Sequence, residues 1–419
     1  MTEIYRSVRT LPTVILRWRL PITLGLLTIG VYGVVWYGYG LLMYQIHEDT
    51  HWSVSTLSAA HTIGATGGAA LGVIAGISLR WISARTLMIF GLTVGSSFIL
   101  FASQTHSALW FVLCWGAGAS ILTASLFYHI TMAIVARNYL KDRAKAFMIL
   151  TLVGGFSSPL FIPIGGYIEA IGDWRLSLQI MTIAAIIFAL PAIILAPAKA
   201  NIDITADSTI QKKSSLKQGV QLTISTVLKD RRMQLITIIF ALNGLANMGI
   251  QFHHVAAIQT YGFTLATAVA ISTTRGILSL PGRAILAYME KRFGAGLALK
   301  YVYILLLLST ILFLLEPSIL TMWAFGVIGG LAIGTVLPLQ GLLAAELLDE
   351  ENMEAKLAMQ QGFVSFVTSF GSLWMGGIYD LTSSYRFVFL IAALLQVIAV
   401  LLLHWYRDRI TDKNQILRT

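Results

Sequence analysis

Two arginines, Arg275 and Arg283, stand in a stretch that is otherwise largely apolar. They are eight residues apart, so on a helix they lie about 2.2 turns and about 12 Å from each other, on roughly one face. No Asp or Glu occurs between Arg232 and Glu290 to neutralise them. A guanidinium binds a carboxylate through two parallel hydrogen bonds, so the pair predicts a site for an anion. The alternative is that these side chains reach the helix end or bind carbonyls there.

A second candidate group is a row of side-chain amides that precedes these arginines. Asn243, Asn247 and Gln251 are four residues apart, which places them on one face of a helix. Three amides facing lipid would be unfavourable, so this face is expected to line a polar pocket. Gln340 is a further candidate in the same half of the chain.

Aromatic residues supply a third candidate group. Tyr32 and Trp36 share a helical face in the first apolar stretch, and Tyr128 is a similar candidate further along. We expect them to shape the pocket for a small molecule. The alternative is that such rings anchor the protein at the membrane interface.

Four histidines fall in apolar stretches: His61, His129, His253 and His254. Imidazole changes its charge near neutral pH, so these side chains are candidates for proton coupling. Simple hydrogen bonding is the alternative for each of them. Neither a carboxylate nor a cysteine accompanies the histidines, so no metal site is predicted.

The composition decides which kind of protein holds these groups. The 29 Lys and Arg and 19 Asp and Glu make 48 charged residues among 419, or 11%, against about 25% in soluble domains. This excludes a soluble enzyme, a disordered chain and a nucleic-acid-binding domain. The single cysteine, Cys114, excludes a disulfide framework. We find no nucleophile–base set and no nucleotide loop, so neither enzymatic activity nor a cofactor is expected.

The gaps between charged residues predict an all-α membrane protein with twelve transmembrane helices. A spanning helix needs about 20 largely apolar residues, and the charge-free gaps are this long or longer in most places. The predicted spans, numbered 1 to 12 in order, are 20–44, 54–79, 84–104, 107–136, 144–168, 174–196, 233–257, 262–289, 295–315, 318–346, 355–379 and 383–406.

The net charge is +10, and the distribution of its basic residues among the loops predicts the orientation of these spans. With both termini in the cytoplasm, the loops on the cytoplasmic side hold most of the Lys and Arg, whereas the opposite loops hold only Arg175 and Arg386. The cytoplasmic residues include Arg85, Arg137, Lys141, Arg143, Lys145, Lys291 and Arg292. The basic residues are split among short loops, which argues against nucleic acid as a partner.

An internal repeat divides the chain into two halves. Shifting the sequence by 211 residues places Gly165-Gly166 on Gly376-Gly377 and Arg175 on Arg386. The prediction is an N-terminal six-helix bundle over 1–196, a polar cytoplasmic linker over 197–232 and a C-terminal six-helix bundle over 233–419. Two six-helix halves in a parallel repeat, with substrate near the midplane, resemble the major facilitator superfamily.

Three stretches resemble bacterial members of the monocarboxylate porter family within that superfamily. Residues 36–76 resemble an aromatic and Gly-rich helix 1 followed by a small-residue helix 2. Residues 137–175 resemble the Arg-rich loop, the Gly- and Pro-rich helix 5 and the start of helix 6. Residues 275–294 resemble a helix 8 with a buried arginine.

The resemblance implies that a helix 8 arginine pairs with the substrate carboxylate, and Arg283 matches that position. Arg275 lies nearer the middle of the span. Two positions depart from the pattern of the animal members, since helix 1 has no lysine and Ser279 replaces an acid.

Together these features predict a secondary transporter of the inner membrane that works by alternating access. The expected substrate is a small organic anion, in particular a carboxylate, moved by proton symport or anion exchange. The alternative is an exporter of amphipathic drugs or larger metabolites such as metal chelates. A receptor or sensor is a third, less favoured class. The expected partners are this small molecule and the lipid bilayer, with the protein as a monomer.

Overall fold

The computed structural model describes residues 2–79, 81–198, 231–346 and 353–416, and within these ranges every regular element is a helix. This confirms the prediction of an all-α protein. Residues 199–230, which make up most of the predicted linker, lie outside the described residues.

The helices follow one another with short connections. In chain order they are α1 Thr2–Tyr32, a π-helical segment Gly33–Gly38, α2 Tyr39–Thr50, α3 Val54–Ser78, α4 Ala84–Gln104, α5 Ala108–Leu126, α6 Tyr128–Asn138, α7 Arg143–Gly154, α8 Ser157–Ile171, α9 Trp174–Leu195, α10 Arg231–Thr260, α11 Leu265–Ile311, α12 Ile319–Ile333, α13 Val336–Ala345, α14 Met353–Ser369, α15 Gly371–Thr382 and α16 Tyr385–Ile416.

Each of the twelve predicted spans corresponds to a helix, to part of one, or to consecutive helices in this order. Span 1 runs through α1, the π-helical segment and α2, and spans 4, 5, 10 and 11 are each divided in two. Two of the breaks precede Pro159 and Pro338 by a few residues, because proline has no backbone N–H for the preceding turn. Spans 8 and 9 form the single element α11, which turns at Gly294 with φ 72°. Only glycine adopts this conformation freely.

Polar side chains close several helix ends. Ser83, Asp173 and Thr264 each accept a hydrogen bond from a backbone N–H in the first turn of α4, α9 and α11. Ser318 and Thr321 form a capping box at the start of α12. These caps satisfy N–H groups that have no partner inside the helix.

The contacts divide the chain into two compact units. Unit 1 comprises Met1–Trp52 and Ile63–Ile202, and unit 2 comprises Ser53–Thr62 and Asp203–Thr419. The first residues of α3 therefore belong to unit 2, and the rest of that helix belongs to unit 1. The segment 53–62 is an addition to unit 2 that the repeat in the sequence does not indicate.

Large apolar side chains cover the outer faces of the helices. On α9 the exposed ones recur at helical spacing, at Ile180, Ile183, Ile187, Leu190 and Ile194. Soluble proteins rarely expose such continuous apolar stripes, whereas a helix in contact with lipid requires them. Ten helical segments of the described chain are long and apolar enough to cross a membrane.

The start of α9 is held by a polar cluster within unit 1. Asp49 accepts hydrogen bonds from Trp174 Nε1 at 2.8 Å and from an Arg175 guanidinium N–H at 3.0 Å. The same guanidinium stacks on the Trp174 ring and donates to the Thr105 carbonyl. Open cavities of about 400 Å³ lie beside this cluster, and the candidate site residues predicted from the sequence do not line them. The hydrogen bonds of Asp49 and Arg175 hold the start of α9 in place and so stabilise unit 1.

Candidate functional site

An aromatic cluster occupies the middle of unit 1. The Tyr32 ring stacks on the Phe127 ring at 4.3 Å between centroids and on the Trp36 ring at 6.1 Å. The Tyr128 ring lies 5.5 Å from Tyr32. The predicted aromatic residues are thus brought together, with Phe127 as a fourth member. Tyr32, Trp36 and Tyr128 remain partly accessible, so their faces are available to a flat or apolar molecule.

The π-helical segment Gly33–Gly38 positions Trp36 in this cluster. At the two glycines that bound this segment, the backbone packs closely against the side chains of neighbouring helices. A Cβ atom at Gly33 would collide with the Phe161 ring of α8, and one at Gly38 would lie 2.9 Å from Met181 Sδ of α9. Isolated π-helical turns inside α-helices often mark functional positions.

A helix break at Phe127 positions the other two rings. The backbone of Phe127 is extended, with ψ −178°, between α5 and α6. His129 Nε2 lies 2.8 Å from the Ala124 carbonyl, so this nitrogen is a donor that satisfies an acceptor beside the break. The ring of His129 is otherwise exposed. This contact supports the hydrogen-bonding alternative for His129.

A polar stripe runs along α10 in unit 2. Asn243, Asn247, Gln251 and His254 lie within an arc of about 80° on this helix. Asn243 and His254 are fully buried, Asn247 is 8% exposed, and Gln251 is half-buried. Asn247 Nδ2 donates to the carbonyl and to the Oδ1 of Asn243, at 2.9 and 2.7 Å. The predicted amide face exists and turns inward within the unit.

Arg275 lies beside the end of this stripe. His254 Nε2 is 2.7 Å from Ser272 Oγ on α11, one turn before Arg275, and His254 interacts electrostatically with that guanidinium. Arg275 is only 3% exposed, and its guanidinium lies over the Phe325 ring of α12 at 4.6 Å. A buried positive charge thus lies against an aromatic face, close to a histidine that hydrogen-bonds a serine hydroxyl.

A glycine provides the space for this guanidinium. A Cβ atom at Gly329 would overlap Arg275 Nη1, and one at Gly330 would lie 2.7 Å from the Arg275 carbonyl. The backbones of α11 and α12 therefore approach closely at this height.

The structure separates Arg283 and Gln340 from the Arg275 group. Arg283 is exposed on α11 and forms no ion pair with the described residues. Gln340 is buried, and its Nε2 donates to Tyr303 Oη at 2.8 Å, a bond between α13 and α11. This bond joins α13 to α11 within the unit.

Two buried histidines of unit 2 share a network of hydroxyl groups. His253 Nε2 is 2.9 Å from the Ser372 carbonyl and 3.3 Å from Ser58 Oγ, and its Nδ1 is 3.1 Å from Tyr385 Oη. His61 Nδ1 is 3.0 Å from Ser372 Oγ. Because a carbonyl only accepts, Nε2 of His253 carries a hydrogen, and Nδ1 faces a hydroxyl that can donate or accept.

The same network holds the start of α3. The Asp380 carboxylate accepts hydrogen bonds from the backbone N–H groups of Val54 and Ser55, at 3.0 and 2.8 Å. Thr62 Oγ1 donates to the Ser369 carbonyl at 3.1 Å. A carboxylate at a helix N-terminus is favourable because the first N–H groups have no partner inside the helix.

A comparison with models of protein families identifies the group of proteins to which this chain belongs. The model of the Major Facilitator Superfamily matches residues 25–325, which is more than half of the chain. The chain belongs to the major facilitator superfamily. The predicted twelve-helix facilitator fold is thereby confirmed.

Solved structures of other facilitators share the fold. A mutant form of the nucleoside transporter NupG has a TM-score of 0.78 and 14% identity, with 93% of this chain and 99% of that chain covered. A bacterial homologue of the human lysosomal transporter Spinster gives 0.64 and 15%, with 95% and 97% covered. The peptide transporter POT gives 0.69 and 11%, with 92% and 94% covered. At these identities the likeness establishes the fold alone.

No curated protein matches this facilitator. The family model is that of the superfamily as a whole, so the finer resemblance to monocarboxylate porters stays a prediction.

Several residues of the facilitator's polar networks were not found from the sequence. Ser58, Ser272, Ser372 and Tyr385 contact the predicted histidines, and Phe325 contacts Arg275. Serine and tyrosine are common in membrane helices, and only tertiary contacts distinguish these. The one available signal was the spacing of three between Ser272 and Arg275, which places them on one face of α11.

Proposed function

We propose that this facilitator moves a small organic anion, in particular a carboxylate, across the inner membrane by alternating access. The observation that carries the proposal is the guanidinium of Arg275, which is 3% exposed, lies over the Phe325 ring and falls within predicted span 8. A charge at this depth is costly, and intramembrane arginines commonly mark substrate pathways. Arg275 would bind the carboxylate, with Arg283 as the position that the family resemblance favours.

The remaining candidates of unit 2, the amides of Asn243, Asn247 and Gln251, would supply polar contacts near that charge. Within unit 1, the rings of Tyr32 and Trp36 would supply an apolar surface. Both termini would lie in the cytoplasm, since the basic loops predict that orientation. We propose that the protein acts as a monomer.

The test is uptake by the purified full chain in liposomes. Radiolabelled carboxylates form the main panel, with uridine and a dipeptide as other solute classes, because facilitators of this fold include nucleoside and peptide transporters. Arg275→Ala is expected to lower kcat/KM for the anion by about 10- to 150-fold, since a charge-assisted pair contributes about 1.5–3 kcal/mol. Arg275→Lys should retain part of the activity because it keeps the charge without the bidentate geometry.

The control is Arg137→Ala, which removes a charge from the exposed end of α6. It should transport the anion like the wild type. Wild-type uptake of every anion by both Arg275→Ala and Arg283→Ala would show that the carboxylate assignment is wrong.

Coupling to protons would use His253 and His61. The Tyr385 hydroxyl can donate to a neutral His253 ring and accept from a protonated one, so the ring can gain a proton without moving its heavy atoms. The titratable groups near it are His61 on α3, His254 on α10, Asp380 on α15 and Tyr385 on α16.

His253→Gln separates coupling from transport. The variant is expected to lose accumulation driven by a pH gradient and to keep substrate exchange at equal pH on both sides. His404→Gln, at an exposed site on α16, is the matched control. If His253→Gln accumulates substrate normally in a pH gradient, His253 is not the proton carrier.

The aromatic cluster of unit 1 favours a second function, export of amphipathic compounds. Tyr32 and the three rings packed around it offer a flat apolar surface. Efflux of ethidium that Trp36→Ala abolishes and Arg275→Ala does not change would favour this function over anion transport.

A further inference from the structure

A patch of basic side chains lies on the surface of unit 1, where residues 17–19 of α1 meet the turn between α6 and α7. All of its basic side chains are exposed, and its one acid is partly buried. The patch, called the basic patch below, consists of Arg17, Arg19, Lys141, Arg143 and Lys145 together with Asp142.

Two aromatic rings join the two segments of the basic patch. The Trp18 ring stacks on the Tyr139 ring at 5.5 Å between centroids, and the Tyr139 hydroxyl donates a hydrogen bond to the Arg17 carbonyl at 2.8 Å. Arg19 interacts electrostatically with the same hydroxyl. Trp and Tyr are enriched where a membrane meets water, because their rings are apolar and carry one polar group. The stacked pair therefore indicates that the basic patch lies at the level of the lipid headgroups.

The exposed face of α7 indicates the same depth independently. Met148 and Leu152 on α7 and Phe156 just after it recur every four residues and are 61, 53 and 44% exposed. A row of large apolar side chains of this kind faces lipid rather than water. Lys145 lies three residues before Met148, which places it about 4–5 Å along the helix from the start of this row. Its ammonium group can therefore reach the phosphate layer while its apolar stem stays against the lipid.

The acid of the basic patch is already engaged. Asp142 forms an ion pair with Arg17. The other four basic side chains form no ion pair within the described part of the chain. The patch thus presents a net positive charge at a depth where the available counter-charges are lipid phosphates.

We propose that the basic patch binds the headgroup of an anionic phospholipid such as phosphatidylglycerol. Arg143 binds two phosphate oxygens through parallel hydrogen bonds, and Lys141 and Lys145 add positive charge beside it. The acyl chains of the lipid lie along the apolar row that begins at Met148. This inference does not depend on which substrate the facilitator transports. A soluble phosphate has the same headgroup chemistry without acyl chains, so the test separates the two sources.

The test compares two lipids with the same acyl chains, phosphatidylglycerol and phosphatidylcholine, on the purified full chain in detergent micelles. Both carry a phosphate, but the choline group balances the charge of the second. Apparent dissociation constants are measured by native mass spectrometry. Each Lys or Arg near an anionic lipid surface strengthens binding about fivefold, so the wild type should prefer phosphatidylglycerol at least about 25-fold. Lys141→Gln combined with Arg143→Gln should weaken phosphatidylglycerol binding about 25-fold and leave phosphatidylcholine binding within about twofold.

The matched control is Lys291→Gln combined with Arg292→Gln, which also removes one Lys and one Arg from exposed positions. Glu290 directly precedes this pair and interacts electrostatically with Glu346, so carboxylates offset the positive charge there. The control should bind phosphatidylglycerol within about twofold of the wild type. A second control adds sn-glycerol 1-phosphate at millimolar concentration, which should not displace the lipid because it has no acyl chains to contact α7.

Loss of the preference in the variant of Lys141 and Arg143, with the preference kept in the control, supports the lipid site. The inference is overturned if the wild type binds both lipids equally, if the variant keeps the preference, or if the control loses it to the same extent. Displacement of phosphatidylglycerol by sn-glycerol 1-phosphate would also overturn it and would assign the basic patch to a soluble phosphate.

Discussion

Replacement of Gly329 by alanine tests how α11 and α12 accommodate the buried charge of Arg275. A Cβ atom at this position would overlap Arg275 Nη1 and lie 2.6 Å from Ser309 Oγ. Ser309 can shift at its flexible end, but the guanidinium is enclosed at 3% exposure and lies against the Phe325 ring. Either the guanidinium must leave its place or the two helices must separate.

The expected cost is the sum of two effects. Overpacking in a close-packed interior costs about 1–3 kcal/mol, and loss of a partly buried cation–π contact costs about 0.5–2 kcal/mol. Gly329→Ala should therefore lower the free energy of unfolding by about 1.5–5 kcal/mol. In an Arg275→Ala background only the contact with Ser309 remains, so the same change should cost about 1 kcal/mol or less.

A double-mutant cycle of unfolding in mixed micelles measures this difference. The expected coupling between Gly329→Ala and Arg275→Ala is about 0.5–4 kcal/mol. Gly341→Ala is the matched control, because no atom lies within 4 Å of its Cβ position and alanine is the better helix former. A coupling below about 0.5 kcal/mol would refute the contact between Gly329 and the guanidinium.

Three further predictions concern other contacts of the two units. Gly33→Ala places a Cβ atom on the Phe161 ring and should destabilise unit 1 by about 1–3 kcal/mol in thermal or denaturant unfolding, whereas Gly76→Ala, with open space around it, should be neutral. Asp380→Asn removes the carboxylate that binds the first N–H groups of α3 and should cost about 1–2 kcal/mol in the same assay. Burial raises the pKa of Tyr261 from 10.0 to about 12, so the folded protein keeps this proton where the unfolded chain has lost it, and stability should fall as the pH rises between these values. Tyr261→Phe should make that fall shallower in melts between pH 9 and 11.

The positions of the membrane helices were predictable because they depend on composition over about 20 residues. Predicted span 3, 84–104, has the bounds of α4, and the span predicted over 174–196 differs from α9 by one residue. A charged residue, Arg85 or Arg175, lies at the start of each of these two spans, and the cost of a charge in lipid is larger than any local preference. The same rule explains why Arg275 was singled out from the sequence.

The breaks within the helices were only partly predictable. Those before Pro159 and Pro338 follow from a missing backbone donor. The break at Phe127 lies in the sequence SLFYH, which contains neither glycine nor proline, and it is stabilised by the contact of His129 with Ala124 and by packing of Phe127 on Tyr32. These contacts exist only in the folded unit, so periodicity could not reveal them.

The two arginines of α11 show how a shared helical face can lead to different environments. The sequence predicts one anion site from their spacing, yet Arg275 is enclosed and Arg283 is exposed. On α12, Gly329 and Gly330 leave room for a guanidinium and for close backbone approach at the height of Arg275. The adjacent glycines and the arginine are therefore one feature of the fold, although they are more than fifty residues apart in the chain. A positive charge placed in this way keeps its position while the surrounding helices pack, which is the property that a carboxylate site requires.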